Sequence, residues 1–134
     1  MARLHFQPIR GKTLDIIDAI IQTEEVASTG DMLRKIHLAV EEVVVNIVDY
    51  AYPDGEEGYL DVDITRDDGG ITLRFCDGGV PFNPLEKEPP DTTLPMSQRK
   101  IGGLGIFFVT KVMDTVTYEY ADGQNVLTVR KIKR

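Results

Sequence analysis

Leu60-Asp-Val-Asp-Ile-Thr65 and Ile71-Thr-Leu-Arg-Phe75, separated by Asp68-Gly69, alternate apolar and polar residues with a period of two. Two strands paired as a hairpin with one face buried need that pattern, and Asp-Gly is a tight-turn signal. Immediately upstream the period is helical. Ile36, Val40, Val43, Val44 and Ile47 recur at three- and four-residue intervals, which predicts a helix capped by Asp31 and running to about Ala51, where Pro53 and Gly55 stop it. Leu14, Ile17, Ile20 and Ile21 predict an earlier helix within Leu14–Val26, with Gly30 as its C-terminal cap, and Leu4–Phe6 an edge strand.

Downstream of the hairpin, residues 83–101 hold Pro84, Pro89, Pro90 and Pro95 and little periodicity. So long a loop inside a domain is usually functional, and it reads as a lid. A helix from about Gly103 to Met113 follows, then strands near 115–121 and 125–132 joined at Asp122-Gly123. The order is strand, helix, helix, hairpin, lid, helix, hairpin. It predicts an α+β two-layer sandwich: a mixed but mostly antiparallel sheet with helices on one face. Residues 1–134 read as one domain, without repeats or linkers.

Composition narrows the function classes. Fifteen Lys and Arg stand against 22 Asp and Glu, a net charge of −7, and no basic stripe compensates, so nucleic acid is not an expected partner. The single cysteine, Cys76, forbids an intrachain disulfide and reads as a buried small hydrophobe. No apolar run approaches the roughly 20 residues that span a bilayer, and no signal segment is evident, so the expected location is cytoplasmic.

Three short stretches carry chemistry. In Glu42-Val-Val-Val-Asn46 the spacing of four puts a carboxylate and an amide on the same side of the helix, one turn apart. An amide oxygen suits Mg²⁺, and the carboxylate can take a proton from an attacking hydroxyl. Read alone, Glu41 and Glu42 are simply the wet side of an amphipathic helix, yet Asn46 is a poor helix former set among valines and isoleucine. In Asp77-Gly-Gly-Val-Pro-Phe82 an acid at a strand end runs into glycines. It can accept from an exocyclic amine while backbone approaches the base, although Asp and Gly also build ordinary turns. Gly102-Gly-Leu-Gly-Ile106 opens a helix whose unpaired amides favour anions, with Arg99 and Lys100 just upstream. It is neither a Walker loop nor a dinucleotide fingerprint. Jointly the three describe a nucleotide site.

Taken together, these stretches resemble the Bergerat (GHKL) ATPase fold of histidine-kinase catalytic domains and gyrase-type ATPases. They are most similar to its small stand-alone branch, the bacterial anti-sigma-factor serine kinases. The resemblance spans nearly the whole chain, with Ala39–Asn46 like the branch's N box, Asp77–Phe82 like its first glycine box, Gly102–Ile106 like its second, and residues 83–101 like the ATP lid. Asp122–Arg130 also matches the branch's closing hairpin. It implies Glu42 as general base, Asn46 as Mg²⁺ ligand and Asp77 as the adenine-reading acid. Gly79, Phe82, Arg99, Gly102, Gly103, Leu104, Gly105 and Ile106 would complete the nucleotide contacts. Implied too are ATP and Mg²⁺ as cofactors, a sigma factor and a STAS-type anti-anti-sigma protein as partners, phosphorylation of a serine on the latter, and a homodimer. One departure stands out: many relatives carry an arginine at or one residue before the position of Gly102, where this chain has Ile101 and Gly102. The alternative expectation is a non-catalytic module that uses nucleotide to set its grip on a partner. A plain ATPase is disfavoured, since no further domain couples hydrolysis to work.

Overall fold

Five strands and four α-helices are formed by the residues that the computed structural model describes, 1–52, 57–86 and 103–133. Strand β1 (Ala2–Phe6) precedes helices α1 (Thr13–Ile21), α2 (Glu24–Ala27) and α3 (Leu33–Tyr50). The hairpin of β2 (Leu60–Asp67) and β3 (Gly70–Asp77) follows, then α4 (Gly103–Val112) and the hairpin of β4 (Thr115–Ala121) and β5 (Gln124–Ile132). The strands lie in the order β1-β2-β3-β5-β4, so the chain crosses to the far edge for β4 and returns to lay β5 beside β3. Every pairing is antiparallel, and no parallel pair occurs among the described residues.

The period-two pattern divides the sheet's faces as expected. Leu60, Val62, Ile64, Leu73 and Phe75 are buried toward the helices. Asp63, on the opposite face, meets Arg3 and Arg74 at 3.5 Å each, exposed pairs of small energetic value. At the β4–β5 turn both Asp122 (φ 55°) and Gly123 (φ 78°) are left-handed, the backbone of a type I′ hairpin. In β3 the decisive glycine is Gly70, where a Cβ would come within 2.1 Å of the Lys131 carbonyl oxygen.

The long helix α3 lays the predicted stripe Ile36, Val40, Val43, Val44 and Ile47 against the sheet, each residue buried. Burying such a side chain contributes about 1.5–3 kcal/mol, so a charge at Val44 would disrupt the layer. The helix starts later than expected. Asp31 falls in a 3-10 turn over Gly30–Met32, Met32 is the N-cap, and no side chain caps α3. The earlier helix is split, because Thr23 leaves the helical path and its hydroxyl accepts from Val26 N–H at 3.4 Å to start α2. In α1 the buried face is Ile16, Ile17 and Ile20, and Leu14 points to solvent. Gly30 is left-handed (φ 63°), as a chain reversal there requires, but lies beyond the C-cap of α2 at Ser28.

Candidate functional site

Helix α3 ends against the loop that leaves β3. Val80 N–H donates to the Ala51 carbonyl at 2.9 Å, and a Cβ on Gly79 would sit 2.0 Å from that same oxygen. Glycine is the residue that lets helix end and loop touch. The next residue, Tyr52, fixes the other side. Its hydroxyl accepts from Gly78 N–H at 2.7 Å and Tyr59 N–H at 3.0 Å while donating to the Tyr59 carbonyl at 2.7 Å.

Asp77, the last residue of β3, is only 5% exposed. Its Oδ1 accepts from Gly79 N–H at 2.9 Å and from Asn125 Nδ2 at 3.0 Å. Its Oδ2 has no hydrogen-bond partner among the described residues. Burial pushes the carboxyl above its ordinary value, and the two donors only partly oppose that. The arrangement presents one carboxylate oxygen as an acceptor from a rigid mount.

The residues brought together from separate elements enclose a cavity of about 30 Å³, lined by Asn46 and Tyr50 of α3, Asp77, Val80 and Phe82 of the turn, and Asn125 of β5, among others. Asn46 Oδ1 is buried and has no hydrogen-bond partner among the described residues. An orphaned buried acceptor costs roughly 1–3 kcal/mol, and a cation or donor arriving there would relieve it. Among the described residues no three His, Cys, Asp or Glu side chains gather into a metal site. The buried amide oxygen of Asn46 is a hard donor of the kind Mg²⁺ accepts, an ion that takes one or two protein oxygens and fills its shell with water and phosphate. The enclosed space holds a water molecule rather than a purine. Tyr50 and Phe82, both on its lining, stack on each other with ring centroids 6.4 Å apart and planes at 25°.

Glu42 lies one turn before Asn46 on α3, half-buried and outside the cavity lining. Partial burial, and secondarily the charge of Glu41, raise its carboxyl above the ordinary range, in the direction that suits a proton acceptor near neutral pH. Gly103, Leu104 and Gly105 open α4 as expected, whereas the Ile106 side chain is part of the core. Arg99, Gly102 and most of the 83–101 segment lie outside the described residues. At its start, Pro84–Glu86 form a 3-10 turn in which Leu85 N–H donates to Asn83 Oδ1 at 2.9 Å. Cys76 is buried, and burial pushes its thiol up, away from reactivity. Among the described residues no helix is long and apolar enough to cross a membrane.

Sequence reading missed Tyr52, Tyr118 and Asn125. Asn125 carried a usable signal: it shares the inward face of β5 with Leu127 and Val129, and a polar side chain at an inward period-two position needs partners. Tyr52 carried none.

Comparison with known proteins agrees with the fold. A family model described as the histidine kinase-like ATPase domain matches residues 11–131. The chain is similar to the serine-protein kinase RsbW of Listeria monocytogenes, 27% identical over 106 residues that cover 76% of this chain and 68% of that protein. It is similar also to the serine-protein kinase RsbW of Bacillus cereus, 26% identical over 108 residues covering 78% and 67%.

Proposed function

The chain belongs to the histidine kinase-like ATPase domain family, and from that premise we propose that it is an ATP-dependent serine kinase of the anti-sigma type. In this reading residues 1–134 act as one ATP-binding unit that holds a sigma factor and phosphorylates a serine on a STAS-type antagonist. It works as a cytoplasmic homodimer. The observation that carries the reading is the pairing, in one cavity, of an acceptor offered by Asp77 and an unpartnered amide oxygen on Asn46.

Each residue has a part. Asp77 Oδ2 accepts from the adenine amine, with Gly79 letting backbone lie close to the base and Phe82 swinging to cover it. Asn46 Oδ1 takes a place in the shell of Mg²⁺, which when bound neutralises charge developing on the phosphates. The first-turn amides of α4, with Gly103, Leu104, Gly105 and Ile106, face phosphate oxygens, and Gly102 and Arg99 complete that end. Glu42 takes the proton of the acceptor serine as its oxygen bonds to the γ-phosphorus. The bond from that phosphorus to the β–γ bridging oxygen breaks, and ADP leaves.

Support comes also from the relatives, which are named serine-protein kinases. The test is transfer of labelled γ-phosphate from ATP to purified STAS-type proteins, with Glu42→Gln as control. A phosphoserine that depends on Glu42 is the expected result, and nucleotide binding without any transfer contradicts the kinase reading. One feature favours the second reading, a non-catalytic binding module: the missing arginine at Ile101 or Gly102. In that case Glu42→Gln leaves partner binding unchanged.

A further inference from the structure

Asn125 has no place in the mechanism above, yet its side chain is bonded on both its nitrogen and its oxygen at the cavity. It pairs directly across from Asp77 in the β3–β5 ladder and is 6% exposed. Its Nδ2 donates to Asp77 Oδ1 at 3.0 Å and to the Val80 carbonyl at 2.9 Å, with the Gly79 carbonyl further off at 3.5 Å. Its Oδ1 accepts from Phe82 N–H at 3.2 Å and from the Tyr118 hydroxyl, which lies within 3.3 Å of the same Phe82 nitrogen. An amide has two donor hydrogens and two acceptor lone pairs, so all four are engaged within the protein. Nothing is left over for a ligand. One planar group thus ties the first, fourth and sixth residues of Asp77–Phe82 together, a span that a single hydroxyl, with one donor, cannot bridge.

We propose that Asn125 is a positioning residue that clasps the Asp77–Phe82 turn and thereby makes the cavity select a 6-amino purine over a 6-oxo purine. By occupying Oδ1 it leaves Oδ2 as the carboxylate oxygen turned to the ligand. An acceptor held there attracts an amine and repels a carbonyl oxygen. Without the clasp the carboxylate keeps only the Gly79 N–H on Oδ1, and Phe82, whose ring stacks on Tyr50, loses one of the two acceptors of its N–H.

The inference rests on the nucleotide reading, and the experiment separates the two. Affinities for ATP and ITP are measured for the full chain and for Asn125→Ala, Asn125→Asp and Tyr118→Phe between pH 5.5 and 8, each normalised to wild type at the same pH. The chargeable groups facing this network from its neighbours are Asp77 itself, Tyr50, Tyr52, Tyr59, Tyr118 and Tyr120, common to wild type and Asn125→Ala. Asn125→Ala is expected to weaken ATP about ten- to hundredfold, the effect of removing a buried hydrogen bond to a charged group, and to bring the ATP to ITP preference toward unity. Asn125→Asp keeps the shape but sets two carboxylates face to face. Its ATP affinity is expected to fall at pH 8 and to recover as pH drops and one proton is shared, a recovery that Asn125→Ala lacks. Tyr118→Phe, which keeps the clasp and loses one donor, should move both readouts the same way by less, and covers the case in which the Asn125 variants fail to fold. Wild-type ATP affinity and an unchanged ATP to ITP ratio in the variants that fold would overturn the clasp alone. A flat pH profile for Asn125→Asp, parallel to Asn125→Ala, would do the same. Failure of wild type to bind ATP at all would overturn both this inference and the nucleotide reading.

Discussion

The two ends of the cavity are built on opposite principles. At the turn end, Asp77, Gly78, Gly79, Val80 and Phe82 are each held by hydrogen bonds from Tyr52, Ala51, Asn125 or their own neighbours. At the helix end, Asn46 Oδ1 is buried without a partner among the described residues, and Glu42 lies one turn earlier on α3, outside the cavity lining. The lesson is a division of labour. In the proposed reading the end that would recognise a base already has its Asp77 acceptor and glycine turn held by hydrogen bonds, so there only the Phe82 side chain has to move. In the same reading, the end that would handle phosphate is left for metal, phosphate and water to complete. Substitutions at the two ends should therefore fail in different ways: the turn end through folding and affinity together, the helix end through chemistry with folding intact.

The largest effect is expected at Glu42. Glu42→Gln should lower serine phosphorylation by on the order of 10²- to 10⁴-fold, the range for a lost general base, while ATP affinity and melting temperature stay near wild type. Radiolabel transfer beside a binding titration checks this, and an equal fall in ATP affinity would break the division. Asn46→Ala comes next. It should reduce Mg²⁺-dependent ATP affinity by at least the roughly ten- to hundredfold typical of lost metal-site partners. The same change should leave the melting temperature of the free chain equal or higher, because a buried unsatisfied acceptor is removed. Calorimetry with and without EDTA measures both.

At the turn end, Gly79→Ala pushes a methyl into the Ala51 carbonyl. About 1–3 kcal/mol of stability should be lost, with ATP affinity falling alongside. A denaturant titration showing no loss would mean that the helix–turn contact is dispensable. The smallest effect is a pH shift. Glu41 is the secondary cause of the raised Glu42 value, after burial, so Glu41→Gln should move the rising limb of the phosphorylation rate to lower pH without abolishing it. A limb that stays in place would detach that limb from Glu42.

How far these ends could be read from sequence differs too. The hairpins, the core stripe of α3 and the glycine turn follow from local periodicity, so Leu60–Phe75 and Ile36–Ile47 were legible without tertiary information. The split at Thr23 was not, since an apolar stripe continues across a break that only backbone geometry reveals. At the site, Asn46 and Asp77 stood out because each is chemically out of place in its own segment. Their convergence and the role of Tyr52 depend on α3 ending against the loop after β3, and the roles of Tyr118 and Asn125 on β5 returning beside β3, which no local pattern encodes.

Asp77 is where both halves of the comparison meet one measurement. Its folded-state carboxyl is raised by burial, so the folded chain keeps this proton to higher pH than the unfolded chain does. Stability is therefore lost as pH climbs from about 3.8 through the raised value, and Asp77→Asn should abolish that loss. The most direct test is thermal unfolding of wild type and Asp77→Asn at neutral pH, with and without Mg²⁺ and ATP. Saturation at about 100 times the dissociation constant adds ~2.7 kcal/mol, several degrees for a domain of this size. The account predicts that shift in wild type, its absence in Asp77→Asn, and a ligand-free melting temperature in the variant no lower than wild type. A wild type unmoved by millimolar ATP, or an Asp77→Asn chain that keeps the full shift, would contradict it.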